Sequence, residues 1–375
     1  MDAADIAALA AELVRVESVN PALDPAGSGE LRCAEVVRAW AAAHGLAVFL
    51  DEYAPGRANV VVRAGRGNGP ATLVLGHLDT VGTATMRDPF AGTVREGRIR
   101  GRGAYDMKGA VAAALAAAVE LERESFDGAF VVACVADEEH ASTGAERLIS
   151  AGERPGFVLV AEPTDERLCV AHRGFAGFEI VTHGRAAHGS RPDLGIDAIA
   201  AMGTVLARLD ARAAELLRTA PHPLLGTPSL HASLISGGQE FSSYPERCVL
   251  EGERRTLPGE TDGDVAAEVA ALAAGVDAET RLVFTRPPLE LDPGHELPRA
   301  VAAAAGAGTF EGVPFWTDGA LFAAAGLPVV IYGPRGGGAH AAEEWVEAES
   351  LARCARVYAE AARRLAGGPG GKSPS

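Results

Sequence analysis

The sequence predicts an α/β protein whose mostly parallel sheet belongs to a domain interrupted by a smaller, inserted ferredoxin-like α+β domain. The length of 375 residues exceeds what one ordinary core needs and indicates two domains. Before residue 175, short apolar runs alternate with helical segments, which is typical of a parallel sheet covered by helices. From Phe175 the order of elements becomes β-α-β-β-α-β, the order of a ferredoxin-like unit.

The first part of the chain begins with helices and continues with buried strands. Ile6, Leu9 and Leu13 recur at helical spacing, and a second amphipathic segment ends near His44 after a Pro/Gly/Ser loop. An Ala-rich segment over 108–124 predicts a helix between the second and third strands. The apolar runs predict strands at 59–62, 72–75, 130–135 and 157–160.

The remaining elements complete the inserted domain and then return to the first one. The inserted domain is predicted to contain strands at 175–182, 230–236, 248–255 and 282–286. Its helices are predicted at 196–217, after the first strand, and at 265–274, before the last one. Helices follow at 298–305, 321–325 and 347–365, and a strand follows at 329–332. The predicted catalytic domain has two parts, at 1–174 and 288–367. The inserted domain is predicted at 175–287, and a flexible tail at 368–375.

Charge and cysteine content limit the classes of function. With 34 Lys and Arg against 50 Asp and Glu, the formal charge of −16 argues against nucleic acid or an anionic membrane as partner, whereas cation binding stays open. The five cysteines are widely spaced without a CxxC pair, which predicts reduced thiols and a cytoplasmic protein. The N-terminus lacks the basic start of a signal peptide, and no apolar stretch reaches 18 residues.

Histidines and acids follow several of the predicted strands. In open α/β sheets, sites form at the carboxyl edge of the strands, so these side chains are expected to meet. Each has a simpler interpretation: Asp79 as a turn cap, Asp106 as a helix N-cap, 137–139 as a solvated loop and Glu162 as part of a turn. Their coincidence at one edge favours a shared site. The residues are His77 and Asp79 after 72–75, Asp137, Glu138 and Glu139 after 130–135, Glu162 after 157–160, His340 after 329–332, and Asp106 before the Ala-rich helix.

This set of side chains suits metal ions. Imidazole nitrogen and carboxylate oxygen are the ligands that Zn²⁺ takes when sulfur is absent, and two such ions need a bridging group with ligands on each side. Several carboxylates in one cleft repel each other, and bound cations relieve that repulsion. Two imidazoles and three carboxylates are enough for two metals with room for water: His77, Asp106, Glu139, Glu162 and His340.

The chain resembles the dinuclear zinc aminoacylase and peptidase family of acetylornithine deacetylase, succinyl-diaminopimelate desuccinylase and glutamate carboxypeptidase. The resemblance implies a zinc-hydrolase catalytic domain and an inserted domain that serves as a dimerisation lid. The similarity runs from near Val16 to near Leu351. It rests on GHLDTV (76–81), GRGAYDMKGA (101–110), ADEEHASTGAERL (136–148), AEPT (161–164), HGRAAHGSRPDLGIDAI (183–199), GGQEFSSYPERCVLEGERRTLPGE (237–260), TDGALFAAAGLPVVIYGP (317–334) and AHAAEEWV (339–346).

The resemblance also implies a role for each residue. Asp106 would bridge two ions, followed by a cis peptide bond to Met107. His77 and Glu162 would complete one metal position, and Glu139 and His340 the other. Asp79 would orient His77 through its second ring nitrogen. Glu138 would be the general base that takes a proton from a metal-activated water and passes it to the leaving nitrogen.

Residues of the inserted domain and of one loop would bind the substrate. His188 matches a histidine that reaches the partner subunit's site and stabilises the tetrahedral oxyanion, with His183 as the alternative. Arg255 matches an arginine that binds the substrate carboxylate through its bidentate fork, whereas Arg254 would point to the opposite face of the strand. The sequence departs from relatives at Ser242, where many carry asparagine, and in the Gly-rich loop GPRGGGAH. Ser242 and Gly336 are therefore expected to border the substrate pocket.

These observations predict a homodimeric, metal-dependent hydrolase that cleaves the amide bond of an N-acyl-L-amino acid. Two divalent ions are expected, zinc foremost, with cobalt or manganese as substitutes. An exopeptidase acting on a dipeptide or a C-terminal residue is the alternative within the same site. A non-catalytic binding protein on the same fold is the more remote one, because no ligand and no base is missing from the sequence.

Overall fold

The computed structural model describes residues 1–367, so the predicted flexible tail at 368–375 lies outside the described residues. The described chain forms two compact units. The first comprises residues 1–170, 291–311 and 317–367, and the second comprises residues 171–290 and 312–316. Among the described residues, no helix is both long enough and apolar enough to cross a membrane.

The elements alternate as the sequence predicts, with additional short strands. As far as the start of the second unit they are α1 (Ala3–Arg15), α2 (Leu31–Ala43), β1 (Ala47–Ala54), β2 (Arg57–Ala64), β3 (Ala71–His77), β4 (Thr93–Arg95), β5 (Arg98–Arg100), α3 (Gly109–Arg123), β6 (Ala129–Val135), α4 (Thr143–Ser150), β7 (Phe157–Val160) and β8 (Cys169–His172). The rest are β9 (Gly174–His183), α5 (Ala198–Leu216), β10 (Ser229–Gly237), β11 (Arg247–Thr256), α6 (Asp262–Leu272), β12 (Ala278–Arg286), β13 (Leu289–Glu290), α7 (Glu296–Ala305), β14 (Glu311–Val313), α8 (Gly319–Ala324), β15 (Val329–Ile331), β16 (Gly336–Gly337), β17 (Trp345–Glu347) and α9 (Ala348–Ala366).

The main sheet of the first unit is mixed, whereas the sequence predicts a mostly parallel one. Six of its strands run in the order β1-β2-β6-β3-β7-β15, and the pairs β6/β3, β3/β7 and β7/β15 are parallel. The pairs β1/β2 and β2/β6 are antiparallel. The reason is local: β1 and β2 form a hairpin that turns at Gly56, whose φ of 76° suits glycine. The sequence predicts a strand at 59–62 but not its hairpin partner β1, and this hairpin is why the sheet is more mixed than expected.

Helices cover this sheet with small side chains. The Ala-rich helix α3 is buried over most of its length and packs against α1 and α9. Alanine favours the helix because it loses no side-chain freedom, and its size allows close approach of the neighbouring helices. At the start of α1, the Asp2 carboxylate accepts the backbone N–H of Asp5 (2.9 Å) and the Asp5 carboxylate accepts that of Asp2 (3.3 Å). This capping box explains where α1 begins.

A second, small antiparallel sheet in the first unit joins two distant segments of the chain. Its strand order is β16-β17-β5-β4, and Arg100 in β5 pairs with Trp345 in β17. The loop that follows β5 carries Asp106, and the segment that precedes β17 carries His340. The pairing thus holds two candidate metal ligands in neighbouring loops, although they lie 234 residues apart in sequence, from 106 to 340.

The second unit has ferredoxin-like topology. Its elements follow the order β9, α5, β10, β11, α6 and β12, and the four strands form an antiparallel sheet in the order β10-β11-β9-β12. The two helices contribute apolar residues such as Met202, Val205 and Val269 to a core shared with the sheet. This order and topology are those of a ferredoxin-like unit. β10 is an edge strand, and most of its residues are exposed.

Candidate metal centre

Strand register brings the predicted ligands to one edge of the main sheet. His77 at the end of β3 pairs with Val135 at the end of β6, and Leu75 pairs with Val160 at the end of β7. The acids of 137–139 and Glu162 therefore emerge beside His77. The expectation that these strand ends meet at one carboxyl edge is thus confirmed by the register.

His77 lies between two carboxylates. Its Nε2 is 3.1 Å from Oδ1 of Asp106 and 3.5 Å from Oε1 of Glu162, and the ring is buried. Glu138 lies nearby: one ring nitrogen of His77 and one carboxylate oxygen each of Glu138 and Glu162 are all within 4.8 Å of one another. We call His77, Glu162 and Asp106 the His77 position.

His340 lies on the other side of Asp106. Its Nε2 is 3.3 Å from Oδ2 of Asp106 and 3.0 Å from Oε2 of Glu139. We call His340, Glu139 and Asp106 the His340 position. The two oxygens of Asp106 thus face different histidines, which is the arrangement a bridging carboxylate needs. The peptide bond between Asp106 and Met107 is cis, as the resemblance implies.

The carboxylates of the site repel one another. Burial raises the pKa of Glu138, and the nearby charge of Glu162 raises it further. Burial also raises the pKa of Glu162 and that of Glu139, and each is raised further by the charge of Asp106. Negative charge held together away from water is costly unless a cation compensates it.

The histidines compensate part of this charge. Burial disfavours the charged form of His77, but the hydrogen bond with Asp106 and the charge of Glu162 raise its pKa well above the usual value. Hydrogen bonds with Asp106 and Glu139 raise the pKa of His340 to about 10. Because the donor set consists of imidazole nitrogens and carboxylate oxygens around one shared aspartate, these residues fit a pair of divalent metal ions.

Asp79 supports the site mainly through the backbone of the glutamates. Its Oδ1 and Oδ2 accept the backbone N–H groups of Glu138 and Glu139, both at 3.1 Å. The Nδ1 of His77 is 2.9 Å from the carbonyl oxygen of Asp79 and 3.6 Å from its Oδ1. The closer partner of His77 is therefore the backbone of Asp79. The carboxylate of Asp79 instead holds the loop that carries Glu138 and Glu139.

A buried polar network behind the site was not predicted from the sequence. The amide nitrogen of Asn20 donates to Oδ2 of Asp79 (2.8 Å) and to Oδ1 of Asp137 (2.9 Å). Arg57 pairs with Asp137 at 2.7 Å and with Glu30 at 2.9 Å. Burial, together with the charge of Asp79, raises the pKa of Glu30 to about 7. The network ties the first loop of the chain to the loop of the candidate base.

A second missed element is the buried pair of Arg102 and Glu344. Nη1 of Arg102 is 2.7 Å from Oε2 of Glu344, and both side chains are almost fully buried. Glu344 lies in the stretch AHAAEEWV, where two adjacent acids follow His340, and the sequence does not distinguish them. In the structure Glu344 is buried, whereas Glu343 is exposed.

Two of the simpler interpretations of the site residues are wrong. Helix α3 begins at Gly109 with Lys108 at its N-cap position, so Asp106 does not cap it. Residues 137–139 are not a solvated loop, because Asp137 is buried and the two glutamates are largely so.

In the second unit, His188 and Ser242 lie close to each other. His188 forms a bridge with Ser243, and the N–H of Gly189 donates to the carbonyl oxygen of Ser242 (2.6 Å). The His188 side chain is exposed, and its Nδ1 accepts the backbone N–H of Ser190 (3.2 Å). His183 instead ends β9, with Nε2 3.5 Å from Glu279.

The adjacent arginines of β11 have different surroundings. Arg254 is buried and pairs with Glu268 (2.8 Å) and with Glu260. Arg255 is more accessible, lies over the ring of Phe175 and pairs with Glu253 (2.6 Å). The alternation expected for neighbouring strand residues is thus present.

Gly336 is in the first unit, where space is limited. A Cβ atom at this position would lie 2.4 Å from the ring of Tyr105 and 2.4 Å from the carbonyl oxygen of Trp345. The glycine therefore allows Tyr105, the neighbour of Asp106, to pack against this loop.

Comparison with known proteins agrees with the class of protein that this site defines, a metal-dependent amide hydrolase. Residues 73–364 match the family described as Peptidase family M20/M25/M40. The chain is 33% identical over 334 residues to acetylornithine deacetylase of Myxococcus xanthus, covering 85% of this chain and 87% of that protein. The chain therefore belongs to the M20/M25/M40 peptidase family, and the predicted family resemblance is confirmed.

Solved structures support the same fold at low sequence identity. Aminopeptidase PepT from Bacillus cereus superposes with a TM-score of 0.81 and 18% identity, covering 98% of this chain and 99% of that chain. The YXEP protein of Bacillus subtilis, described as a dinuclear metal-binding peptidase of the M20 family, has a TM-score of 0.74 and 18% identity, covering 96% of this chain and 97% of that chain.

Proposed function

We propose that the protein is a two-metal deacylase that hydrolyses the amide bond of an N-acyl-L-amino acid. The observation that carries this proposal is the shared aspartate, Asp106, whose two oxygens face His77 and His340 separately. The acetylornithine deacetylase of Myxococcus xanthus supports N-acetylornithine as the first substrate to test.

We propose zinc as the metal at both positions, with cobalt or manganese able to replace it. His77 and Glu162 would hold one ion, and Glu139 and His340 the other, with Asp106 shared. Bound there, the ions would polarise the amide carbonyl and lower the pKa of the attacking water.

Glu138 is the proposed general base. Its backbone is fixed by Asp79, and its side chain lies beside His77 and Glu162 without belonging to the shared set around Asp106. In this position the carboxylate would take a proton from the attacking water and deliver it to the amide nitrogen as the C–N bond breaks.

The second unit would serve as a dimerisation domain. The edge strand β10 exposes its backbone edge together with Leu234 and Ile235, which are 65% and 54% exposed. Pairing of two such edges would cover these groups and generate a symmetric dimer. We propose that His188 of the partner subunit then donates its Nε2–H to the oxyanion, and that segment 175–287 functions as this inserted domain.

Arg255 is proposed to bind the substrate carboxylate, and Ser242 and Gly336 to border the acyl pocket. The guanidinium of Arg255 is accessible and its partner Glu253 lies on the same strand, so a substrate carboxylate could replace that pairing. The five buried, unpaired cysteines support a reducing, cytoplasmic location.

A substrate screen tests the proposal. The Zn²⁺-loaded protein would be assayed with N-acetylornithine, other N-acetyl and N-succinyl amino acids, and dipeptides, following the release of the free amine. We expect the highest kcat/KM with an N-acyl-amino acid. A preference for dipeptides would favour the exopeptidase alternative, and no hydrolysis of any amide by metal-loaded protein would favour a binding protein.

A further inference from the structure

We propose that Arg102 and Glu344 form a buried clamp that sets the spacing between Asp106 and His340. In this role they are positioning residues that control metal affinity at the His340 position more strongly than at the His77 position. The inference rests on the proposed two-metal function and adds to it residues that hold no metal themselves.

The clamp begins with the loop that carries Asp106. Oε1 of Glu344 accepts the backbone N–H groups of Tyr105 (2.9 Å) and Asp106 (3.1 Å), and Oε2 accepts that of Gly103 (3.0 Å). One carboxylate thus satisfies three backbone donors of a single loop. Since Asp106 is itself one of these donors, the position of its backbone depends on Glu344 directly.

Arg102 connects the same carboxylate to the loop of His340. Its Nη1 donates to Glu344 at 2.7 Å, and its Nη2 donates to the carbonyl oxygen of Ala341, the residue after His340, at 3.1 Å. In addition, the N–H of Gly101 donates to the carbonyl oxygen of Glu344 at 3.2 Å. The guanidinium fork therefore joins the two loops in a way that a single ammonium group cannot reproduce.

Burial makes this arrangement sensitive to small changes. Arg102 is 1% and Glu344 is 3% exposed, so water cannot replace a lost partner. Both carboxylate oxygens accept hydrogen bonds from donors. A glutamine at position 344 would turn one acceptor into a donor, and at least two donors would then lose their partner whichever way the amide points.

The two metal positions depend on the clamp unequally. His77 is the last residue of β3 and is held by the neighbouring strand β6, and Glu162 lies two residues after the end of β7. His340 lies outside any strand, its side chain is 55% exposed, and its φ is +60°. Release of the clamp is therefore expected to displace His340 while His77 stays in place.

The test is calorimetric titration of the chelator-treated full chain with Zn²⁺. The variants are Glu344→Gln and the milder Arg102→Lys, and His340→Ala identifies which binding step belongs to the His340 position. Loss of an outer partner of a ligand typically weakens metal binding about 10- to 100-fold. We expect that loss at the His340 step, and a smaller loss at the other step, which shares Asp106 but keeps His77 and Glu162 in place. For Arg102→Lys the loss is smaller and at the same step.

Glu268→Gln is the matched control, because Glu268 is the carboxylate partner of the buried Arg254 in the other unit. It should lower the melting temperature and leave both Zn²⁺ steps unchanged. If Glu344→Gln does not fold, as judged by circular dichroism, Arg102→Lys decides the result alone. Unchanged steps, or equal weakening of both, overturn the inference while the proposed function stands. A wild-type chain that binds fewer than two Zn²⁺ ions overturns both.

Discussion

The carboxylate of Asp79 accepts the backbone N–H groups of Glu138 and Glu139 with its two separate oxygens, at 3.1 Å each. This contact places two neighbouring glutamates side by side with different side-chain surroundings. Glu139 contacts His340 and clusters with His77 and Asp106, whereas Glu138 clusters with His77 and Glu162. The pair can therefore divide into a base and a ligand.

Substitution separates these two roles. We expect Glu138→Gln to keep both metal ions and to lose about 10²- to 10⁴-fold in kcat, the usual contribution of a general base. Glu139→Gln should instead weaken metal binding at the His340 position. Metal analysis and steady-state kinetics on both variants measure the difference. The opposite pattern would show that the roles are exchanged.

Metal removal should abolish activity and lower stability. The buried carboxylates repel each other when no cation compensates them, so ions that bind only the folded chain raise its free energy of unfolding. Zn²⁺ at 100 times its dissociation constant corresponds to about 2.7 kcal/mol per site. We expect a melting temperature that rises with Zn²⁺ concentration and two ions per chain by elemental analysis. An active protein with one ion or none would contradict the two-metal proposal.

Asn20 should matter for stability and for catalysis. Its side-chain nitrogen donates to both Asp79 and Asp137, so Asn20→Ala leaves two buried carboxylates without their shared donor. Loss of a buried hydrogen-bond partner costs about 1–3 kcal/mol. Chemical denaturation should show this loss, together with a lower kcat at nearly unchanged KM. Asn68→Ala, which removes an exposed hydrogen bond to Asp127, is the control and should be close to neutral. If Asn20→Ala changes stability and kcat as little as Asn68→Ala does, the buried network does not contribute to catalysis.

Mixed dimers test whether His188 acts across subunits. His188→Ala should remain folded and metal-loaded, with turnover reduced on the order of 10²- to 10³-fold, as for loss of an oxyanion donor. Mixing it with Glu138→Gln should restore part of the activity, because one site of each mixed dimer would contain both Glu138 and an intact partner His188. Subunit exchange is checked by mass spectrometry of differently tagged chains. If exchange occurs and no activity returns, His188 does not act in trans.

The sequence by itself determines the cores of the strands and helices and the metal-binding residue types. The predicted strand at 72–75 and the predicted helix at 108–124 have nearly the same bounds as β3 and α3 in the structure. They agree because hydrophobic periodicity and helix propensity are local properties of the sequence. The family motifs also place His77, Asp106, Glu139, Glu162 and His340 in one cluster, and the structure brings these five together in the first unit.

Only the tertiary structure decides which polar side chains are buried behind that cluster. Asn20 looks like an ordinary loop residue, and its role arises because it meets Asp79 and Asp137, 59 and 117 residues away. Glu343 and Glu344 are equivalent in the sequence, but the pairing of Trp345 with Arg100 turns Glu344 inward to the Asp106 loop. Pairing between segments distant in sequence sets these contacts, and no local property of residues 343 and 344 distinguishes the buried acid from the exposed one.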